Sequence, residues 1–325
     1  MKYRVSTKPV GSDWGHGMLR YLMRKLGLGI GVLLCTSAIA FFLSFLVGDP
    51  ASRLAGESAS AQEIAQVREQ YGFDQPLPTQ YARWLANGLA GEFGDSLFLK
   101  IPVTKVIAQH LPVTLYLASA SILFSLIFGL AMGAIAAIRE GGAVDRLCLF
   151  LSLVAQATPV FWFALIIMAL FSFGWPILPS SGADSWKSFV LPTLALGFNA
   201  MPAIIRLTRT SLIEVLKTDY IRTARAKGIP YRRVVLKHAL TNALNPVVSV
   251  SVVQFGYMLT GSIVVEMIFA LHGVGQLAWS SIERGDIPII QAIILLFSLI
   301  YVLLGILSDI VAAWLDPKLR TASHV

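Results

Sequence analysis

Charged residues are scarce in this 325-residue chain. Only 14% of the residues are Asp, Glu, Lys or Arg, whereas about a quarter is usual in a soluble domain. The hydrophobic fraction is 56% and the mean hydropathy is +0.70. These values exclude a soluble globular domain and indicate a polytopic membrane protein. The formal net charge of +8 is explained by orientation in a bilayer rather than by nucleic-acid binding, because the basic residues cluster at the ends of apolar runs.

Motifs for enzymatic or metal chemistry are also missing. The two cysteines, Cys35 and Cys148, lie within apolar runs and predict no disulfide framework. Neither GxxxxGKS nor GxxxxGKT occurs, so nothing in the sequence is suited to hold the phosphates of ATP. The histidines show no ligand-like i, i+4 pairing, and no HExxH or paired carboxylates are found. We therefore expect no catalytic site and no metal site.

Six apolar runs predict an all-α protein with six transmembrane helices, since a span needs about 20 apolar residues. The runs cover 26–47, 111–138, 147–178, 188–205, 247–265 and 287–308. Pro159 predicts a kink in the long third run, and the short fourth run contains Pro192, Asn199 and Pro202. The alternative for the first run is a cleaved signal peptide, but the run is long for one and lacks a cleavage pattern.

The distribution of Lys and Arg predicts the orientation of the spans. Of the 26 basic residues, 19 fall in segments 1–25, 139–146, 206–237 and 316–325, and seven fall in the other polar segments. By the positive-inside rule both termini are cytoplasmic. The predicted organisation is a cytoplasmic N-terminal segment (1–25), a first span (26–47), an insertion outside the membrane (48–110), a five-helix core (111–315) containing a cytoplasmic loop (206–246), and a cytoplasmic tail (316–325).

The insertion is predicted to be folded. Ser60 and Glu63 have the spacing of a capping box that opens a helix to about Gln70. Residues 80–89 have helical spacing, with three apolar residues on one side. These residues are Tyr81, Trp84 and Leu85. This face is too apolar to be left in water, so we expect it to pack against another subunit.

A basic segment, DYIRTARAKG at residues 219–228, lies between long apolar runs. Its composition predicts a short helix from Tyr220 to Lys227, and Gly228 followed by Pro230 predicts its end. The helix would have two turns and a length of about 12 Å. The alternative is a solvated basic loop that only orients the neighbouring spans.

The basic segment belongs to the string DYIRTARAKGIPYRRVVLKHALTNALNPVV (219–248), which closely resembles the cytoplasmic EAA loop of the dipeptide/oligopeptide/nickel permease family of ABC importers. The loop has Arg222 and Thr223 where the general EAA pattern has Glu and Ala. This substitution is itself similar to the peptide branch of the family. The resemblance extends over nearly the whole chain from Met18. Other matching segments are GDP (48–50), GFDQPLPTQYARWL (72–85), GEFGDSL (91–97), HLPVTLYL (110–117), Ala157-Thr158-Pro159, VVEMIFALHGVGQL (264–277), RGDIPIIQA (284–292) and LDPKLR (315–320).

This resemblance implies the type I ABC importer permease fold and the first, B-type, permease of a pair. It implies a subunit of an ATP-driven, binding-protein-dependent importer of di- or oligopeptides or similar small solutes in the bacterial inner membrane. The expected partners are a second homologous permease, two ATPase subunits that bind ATP and Mg, and a periplasmic or lipid-anchored substrate-binding protein. No cofactor is expected in this chain. A non-peptide cargo such as nickel is the alternative.

The resemblance also implies which residues couple the chain to the ATPase subunits, because the loop helix of such importers docks into a groove on the ATPase. The coupling residues would be Tyr220, Ile221, Arg222, Thr223, Ala224, Arg225, Ala226, Lys227 and Gly228. Small residues would permit close approach, and the basic side chains would meet acidic groups of the ATPase.

Polar and small residues within the apolar runs are candidates for the translocation path. They are Gln156, Thr158, Pro159, Asn199, Gln254, Gly256, Met258, Gly261 and Glu266. Such residues also serve as ordinary interhelical contacts, and Glu266 has either a structural or a gating role. Asp309 is expected to pair with a nearby backbone group or base. A secondary transporter or channel is less favoured, because neither inverted repeats nor buried charge pairs are evident. A membrane-embedded enzyme is also less favoured.

Overall fold

The structure, a computed structural model, describes residues 14–46, 48–56 and 59–315. The predicted tail 316–325 and most of the predicted N-terminal segment lie outside these residues. The helices are α1 (Trp14–Leu46), α2 (Pro50–Ala55), α3 (Ala61–Tyr71), α4 (Leu77–Leu89), α5 (Val103–Ile138), α6 (Ala143–Ala157), α7 (Val160–Met168), α8 (Val190–Leu216), α9 (Asp219–Ala226), α10 (Tyr231–Arg233), α11 (Leu240–Ile268), α12 (Val274–Arg284) and α13 (Ile287–Leu315). A π-helical turn follows α7 (Ala169–Gly174), another precedes α11 (Val234–Ala239), and a 3₁₀ turn precedes α8 (Trp186–Phe189).

The predicted spans are present in the described part of the chain. Five helical segments are long and apolar enough to cross a bilayer, namely Met23–Phe45, Val103–Ile138, Trp186–Leu216, Tyr231–Ile268 and Ile287–Ala312. The sixth is a bent pair, in which Ala143–Ala157 and Val160–Gly174 meet at 99°. Thr158, at the bend, has extended backbone dihedrals, as expected of a residue that precedes proline. The predicted kink at Pro159 is therefore confirmed.

The α8 helix is longer than the predicted fourth span. It continues past Ile205 to Leu216, with Pro202 inside the helix and Pro192 in its first turn. The helix continues because its basic residues have partners, as Arg209 has in Asp145. Residues 206–216 of the predicted loop 206–246 therefore belong to α8, and residues 240–246 belong to α11. The connection between these two helices is shorter than predicted.

Close contact between α5 and α8 forms the centre of the molecule. A Cβ atom at Gly133 would lie 2.7 Å from the carbonyl oxygen of Ile205, and one at Gly197 would lie 2.9 Å from that of Ser121. The hydroxyl of Ser125 donates to the Gly197 carbonyl at 2.7 Å. Small residues allow such approach between helices in membranes, where packing and hydrogen bonds drive association. The largest core cluster is built around this pair and includes Leu117, Leu191, Leu259 and Phe269.

The α3 helix of the insertion begins as predicted. The Ser60 hydroxyl accepts from the Glu63 backbone N–H at 3.3 Å, and the Ser60 backbone N–H donates to the Glu63 carboxylate at 2.7 Å. The backbone N–H and then the hydroxyl of Ser60 hold the pKa of Glu63 below its usual value, because both donate to the charged form. The helix ends at Gly72, which has a φ of +68°, a conformation that glycine adopts without strain.

The apolar face of α4 packs on the first span of the same chain. The Tyr81 hydroxyl lies 2.6 Å from the Ser37 hydroxyl. The rings of Tyr81 and Trp84 lie 5.5 and 5.7 Å from the Phe41 ring, between centroids. The premise that this face is otherwise left in water is therefore wrong, since α1 covers much of it. Its packing against another subunit stays a prediction.

Asp286 fixes the end of the insertion to the junction of α12 and α13. Its side chain is 2% exposed. It accepts hydrogen bonds from the Ser96 hydroxyl and from the backbone N–H groups of Leu97, at 3.1 Å, and Phe98, at 3.4 Å. The guanidinium of Arg284 lies 4.2 Å from the centroid of the Phe98 ring. Residues from two distant parts of the chain are thus held together by one buried carboxylate.

Candidate functional site

The basic segment forms the helix α9, over Asp219–Ala226. Its length is about 12 Å at 1.5 Å per residue. The helix ends where the sequence predicts, because Gly228 has a φ of +76° and Pro230 precedes the next helix. The backbone N–H groups of Lys227 and Gly228 donate to carbonyls within the last turn. A compact unit with its own hydrogen bonds therefore projects between α8 and α11.

One face of α9 is anchored on residues of α8, α11 and the turn before α11. Ile221 is 2% exposed and packs in a cluster with Leu212, Val234 and Ala243. Ala224 contacts the same cluster. Burial of an Ile side chain contributes about 1.5–3 kcal/mol, so a movement of α9 requires its neighbours to move with it.

Polar contacts fasten the ends of α9. The Asn242 side-chain amide donates to the Tyr220 hydroxyl at 2.9 Å and to the His238 carbonyl at 3.0 Å. The Arg225 guanidinium lies 5.5 Å from the centroid of the Tyr231 ring. These contacts join α9 to the turn that begins the fifth span, so the helix has a defined orientation.

The opposite face of α9 is exposed and basic. Arg222, Arg225 and Lys227 are exposed, together with Thr223 and Ala226. The Arg222 guanidinium lies 3.1 Å from the Asp219 carboxylate, but both side chains are largely exposed, and such surface pairs contribute little. This face therefore presents positive charge and small side chains to a partner.

A buried ion pair next to α9 was missed by sequence reasoning, which found no such pair. Arg209 of α8 donates to both carboxylate oxygens of Asp145 at 2.6 and 2.7 Å, and the Gly141 N–H donates to the same carboxylate at 2.8 Å. Asp145 is 2% exposed. Lys217 pairs with Glu140 at 3.0 Å in the same region. These contacts clamp the turn between α5 and α6 onto α8, so the buried pair has a structural explanation and does not indicate a secondary transporter.

Part of the predicted path set lies on surfaces of the chain that are exposed. Gln156 and Asn199 are exposed, and Gly261 has open space where a Cβ would be. Gln156 accepts a hydrogen bond from Arg206. Thr158 and Pro159 lie at the bend of the third span, and the Gln254 amide is 3.5 Å from the Ala200 carbonyl. The Thr158 hydroxyl bonds to its own helix, at the Val154 carbonyl, 2.7 Å away.

The remaining three path candidates are buried within the chain. A Cβ at Gly256 would lie 2.8 Å from the Tyr301 ring, and Met258 is 3% exposed. Glu266 is 0% exposed. The structure thus separates these residues from the exposed candidates. Gly256 and Met258 pack between α11 and its neighbours.

Glu266 connects three helices. Its Oε1 accepts from the hydroxyls of Thr114 and Ser262, both at 2.8 Å, and its Oε2 accepts from the Gln276 backbone N–H at 2.9 Å. A Cβ at Gly273 would lie 2.4 Å from this carboxyl group. Because the N-terminus of α12 favours negative charge, the arrangement supports the structural alternative for Glu266. Its partners could not be predicted, since Thr114 is 152 residues away.

Asp309 and possible metal ligands were the other residues that the sequence analysis considered. Asp309 of α13 forms an ion pair with Lys25 of α1 at 3.0 Å, which confirms the expectation of a basic partner. No group of three or more His, Cys, Asp or Glu residues that could hold a metal ion is found in the described ranges.

Comparison with known proteins gives matches over most of the chain. The model of the binding-protein-dependent transport system inner membrane component matches residues 129–321, and that of its N-terminal part matches residues 18–118. The glutathione transport system permease protein GsiC of Salmonella paratyphi A is 42% identical over 306 residues, which cover 93% of this chain and 99% of that protein. GsiC of Escherichia coli gives the same identity and coverage.

The fold has a counterpart among solved structures. A chain of the MetNI methionine ABC transporter, solved in inward-facing conformations, superposes with a TM-score of 0.55 at 18% sequence identity. The match covers 65% of this chain and 96% of that chain. At this identity the likeness concerns the fold alone.

Proposed function

Because the chain belongs to the family of binding-protein-dependent transport system inner membrane components, it is a permease subunit of a bacterial ABC importer, and we propose that its cargo is a peptide or peptide-like solute. The protein is a multi-pass protein of the inner membrane with the fold of a type I importer permease, as the sequence predicted. The proposal for the cargo is supported by 42% identity to permeases named for glutathione, which is itself a small peptide.

The proposed coupling element is α9. It would enter a groove of an ATPase subunit with its basic face and transmit the closure of the ATPases to α8 and α11 as a rigid-body movement. The observation that supports this role most directly is the two-sided character of the helix, with Ile221 buried at 2% exposure and Arg225 exposed. A helix that served only as an orientation signal would not need an apolar anchor.

The proposed complex contains this chain, a second homologous permease, two ATPase subunits and a periplasmic or lipid-anchored binding protein. The ATPase subunits would bind ATP and Mg. The insertion would face the binding protein, and α9 and both chain termini would be cytoplasmic. The path would run along the exposed candidates Gln156, Asn199 and Gly261, of which Gln156 lies next to the bend of the third span. Glu266 would position α12.

Reconstitution of the complete transporter in proteoliposomes tests the cargo. We expect ATP-driven uptake of a labelled dipeptide or of glutathione that requires the binding protein, and competition by unlabelled peptide. Mass spectrometry of the ligand that co-purifies with the binding protein gives an independent identification. Uptake of nickel that peptides do not inhibit would favour the alternative cargo and contradict the proposal.

A further inference from the structure

Two neighbouring cavities on the insertion side of the molecule make up the two parts of a cleft. The first has a volume of about 620 Å³ and an almost wholly apolar lining that includes Leu33, Leu111 and Leu296. The second has a volume of about 600 Å³ and a mixed polar and aromatic lining. Trp84 and Phe93 line both cavities, so the two spaces are neighbours. Each is within the range of about 300–1,000 Å³ that is typical of ligand sites.

We propose that this cleft binds one phospholipid with a primary amine in its head group, of the phosphatidylethanolamine type. The apolar part would take an acyl chain, and the polar part would take the head group. The inference is independent of which solute the transporter carries.

The apolar part of the cleft lies at the depth of the membrane. Leu33 belongs to the span Met23–Phe45, Leu111 to Val103–Ile138 and Leu296 to Ile287–Ala312. The cleft therefore opens among helices that face hydrocarbon, where lipid tails are the surrounding solvent. A polar solute alone would not fill this apolar space. The side chains that line an unfilled space would lose van der Waals contacts on one side.

The polar part of the cleft has charges of both signs. Glu92, Asp95 and Lys100 line it, together with the amide of Asn87. None of these three charged side chains forms an ion pair with another residue in the described part of the chain, and all three are exposed. Lys100 can bind a phosphate as a point charge, and the carboxylates can accept hydrogen bonds from an ammonium group. A zwitterionic head group provides a phosphate for Lys100 and an ammonium group for the carboxylates.

The aromatic residues between the two parts mark the expected level of the interface. Trp84 packs on Phe41 of the first span, with 5.7 Å between ring centroids. Trp and Tyr side chains are enriched where a membrane meets water, because one end is apolar and the other can form hydrogen bonds. The division of the cleft at Trp84 thus coincides with the expected boundary between tail and head group.

Native mass spectrometry of the full-length permease, purified with its co-expressed transporter subunits in mild detergent, tests the apolar part. The probe is phosphatidylethanolamine carried over from the membrane. Leu296→Trp fills the cleft, and we expect it to lower lipid occupancy about tenfold, which corresponds to about 1.4 kcal/mol. Leu303→Trp is the matched control, because Leu303 lies on the same helix, is 55% exposed and does not line the cleft.

Two surface variants test the head-group part without a risk to folding. Lys100 has a φ of +55°, so Lys100→Asn removes the charge with a residue that tolerates this conformation. We expect it to lower the retention of phosphatidylethanolamine, phosphatidylcholine and phosphatidylglycerol alike. Glu92→Gln should reduce the preference for phosphatidylethanolamine over phosphatidylcholine, because a carboxylate that accepts from the primary ammonium is lost.

The proposal is overturned if Leu296→Trp and Leu303→Trp retain lipid equally and the two head-group variants retain it as the natural protein does. A photo-crosslinker at position 296 gives a second, independent test. Labelling of a lipid supports the proposal, whereas labelling of the second permease would identify the cleft as a protein interface and contradict it.

Discussion

Replacement of Gly228 by proline is the sharpest test of the coupling role of α9. Gly228 has a φ of +76°, and no atom lies within 4 Å of the place where a Cβ would be. Its backbone N–H donates to the Arg225 carbonyl at 3.0 Å. Proline fixes φ near −65° and has no N–H. The conflict therefore concerns only the backbone at the end of α9.

The expected cost can be compared with the anchoring of the helix. Proline at a position with positive φ costs about 1–3 kcal/mol, and burial of Ile221 contributes about 1.5–3 kcal/mol. The two are of the same order, so α9 should lose its docked position on α8 and α11. A change of about 1–3 kcal/mol lowers the population of the docked helix roughly five- to 150-fold. The spans should be unaffected, because the segment lies outside them.

The assay combines co-purification of the ATPase subunits with ATP-driven uptake in proteoliposomes. We expect Gly228→Pro to insert normally but to lose the ATPase subunits, or to retain ATP hydrolysis without uptake. Gly228→Asn should retain function, since Asn tolerates positive φ and keeps the N–H. Gly91→Pro is the matched control, because Gly91 has a φ of +82°, open space and a comparable hydrogen bond in the insertion.

Full uptake and full ATPase association in Gly228→Pro would refute the reasoning and leave the segment as an orientation signal. Equal loss of function in Gly228→Asn would show that the side chain, rather than the backbone conformation, determines the effect. Equal loss in Gly91→Pro would show that the proline variants fail through general misfolding.

Three further predictions concern charges. Arg225→Glu should weaken ATPase association at least tenfold, since loss of a partly desolvated pair costs about 2–5 kcal/mol, as measured by titration of the ATPase. Glu266→Ala should lower the Tm measurably more than Glu266→Gln, because each donor left without an acceptor costs about 1–3 kcal/mol. The cap of the helix Ala61–Tyr71 should weaken as the pH falls through the folded pKa of Glu63, which the backbone N–H and hydroxyl of Ser60 hold below its usual value, and stay intact at neutral pH. Hydrogen exchange of the helix measures the weakening, and Glu63→Gln should remove the pH dependence.

Each of these predictions has an outcome that contradicts it. Unchanged ATPase titration in Arg225→Glu would remove the basic face from the interface, and Arg222→Glu gives a second measurement on the same face. Equal Tm values for Glu266→Ala and Glu266→Gln would show that the carboxyl group does not hold α12. Acid-dependent exchange that persists in Glu63→Gln would assign the titration to a group other than Glu63.

Local features of the fold could be predicted from the sequence. The capping box at Ser60 and the end of α9 at Gly228 depend on residues within a few positions, so the pattern determines the outcome. The Pro159 bend belongs to the same class, because proline restricts the residue before it. The position of α9 and the identity of its residues were therefore predictable, although its apolar anchor at Ile221 was not.

Features that depend on distant residues could not be predicted. The length of α8 was underestimated because Arg206 ends the apolar run. The partner of the next basic residue, Arg209, is Asp145, which lies on another helix. Pro202 lies inside α8, and the packing of α8 on α5 keeps the helix continuous there. Glu266 was recognised as unusual, yet its role depends on donors that the fold alone brings together.

The buried carboxylate of Asp286 has a consequence for biosynthesis. It joins groups that are 190 residues apart, and a ribosome adds about 5–20 residues per second. The Ser96 loop therefore leaves the ribosome roughly 10–40 s before its acceptor is synthesised. During this interval water forms the hydrogen bonds of the loop, and the insertion is attached only after Asp286 has been synthesised. A nascent chain that stops before Asp286 should thus expose this loop to proteases, whereas the finished chain protects it.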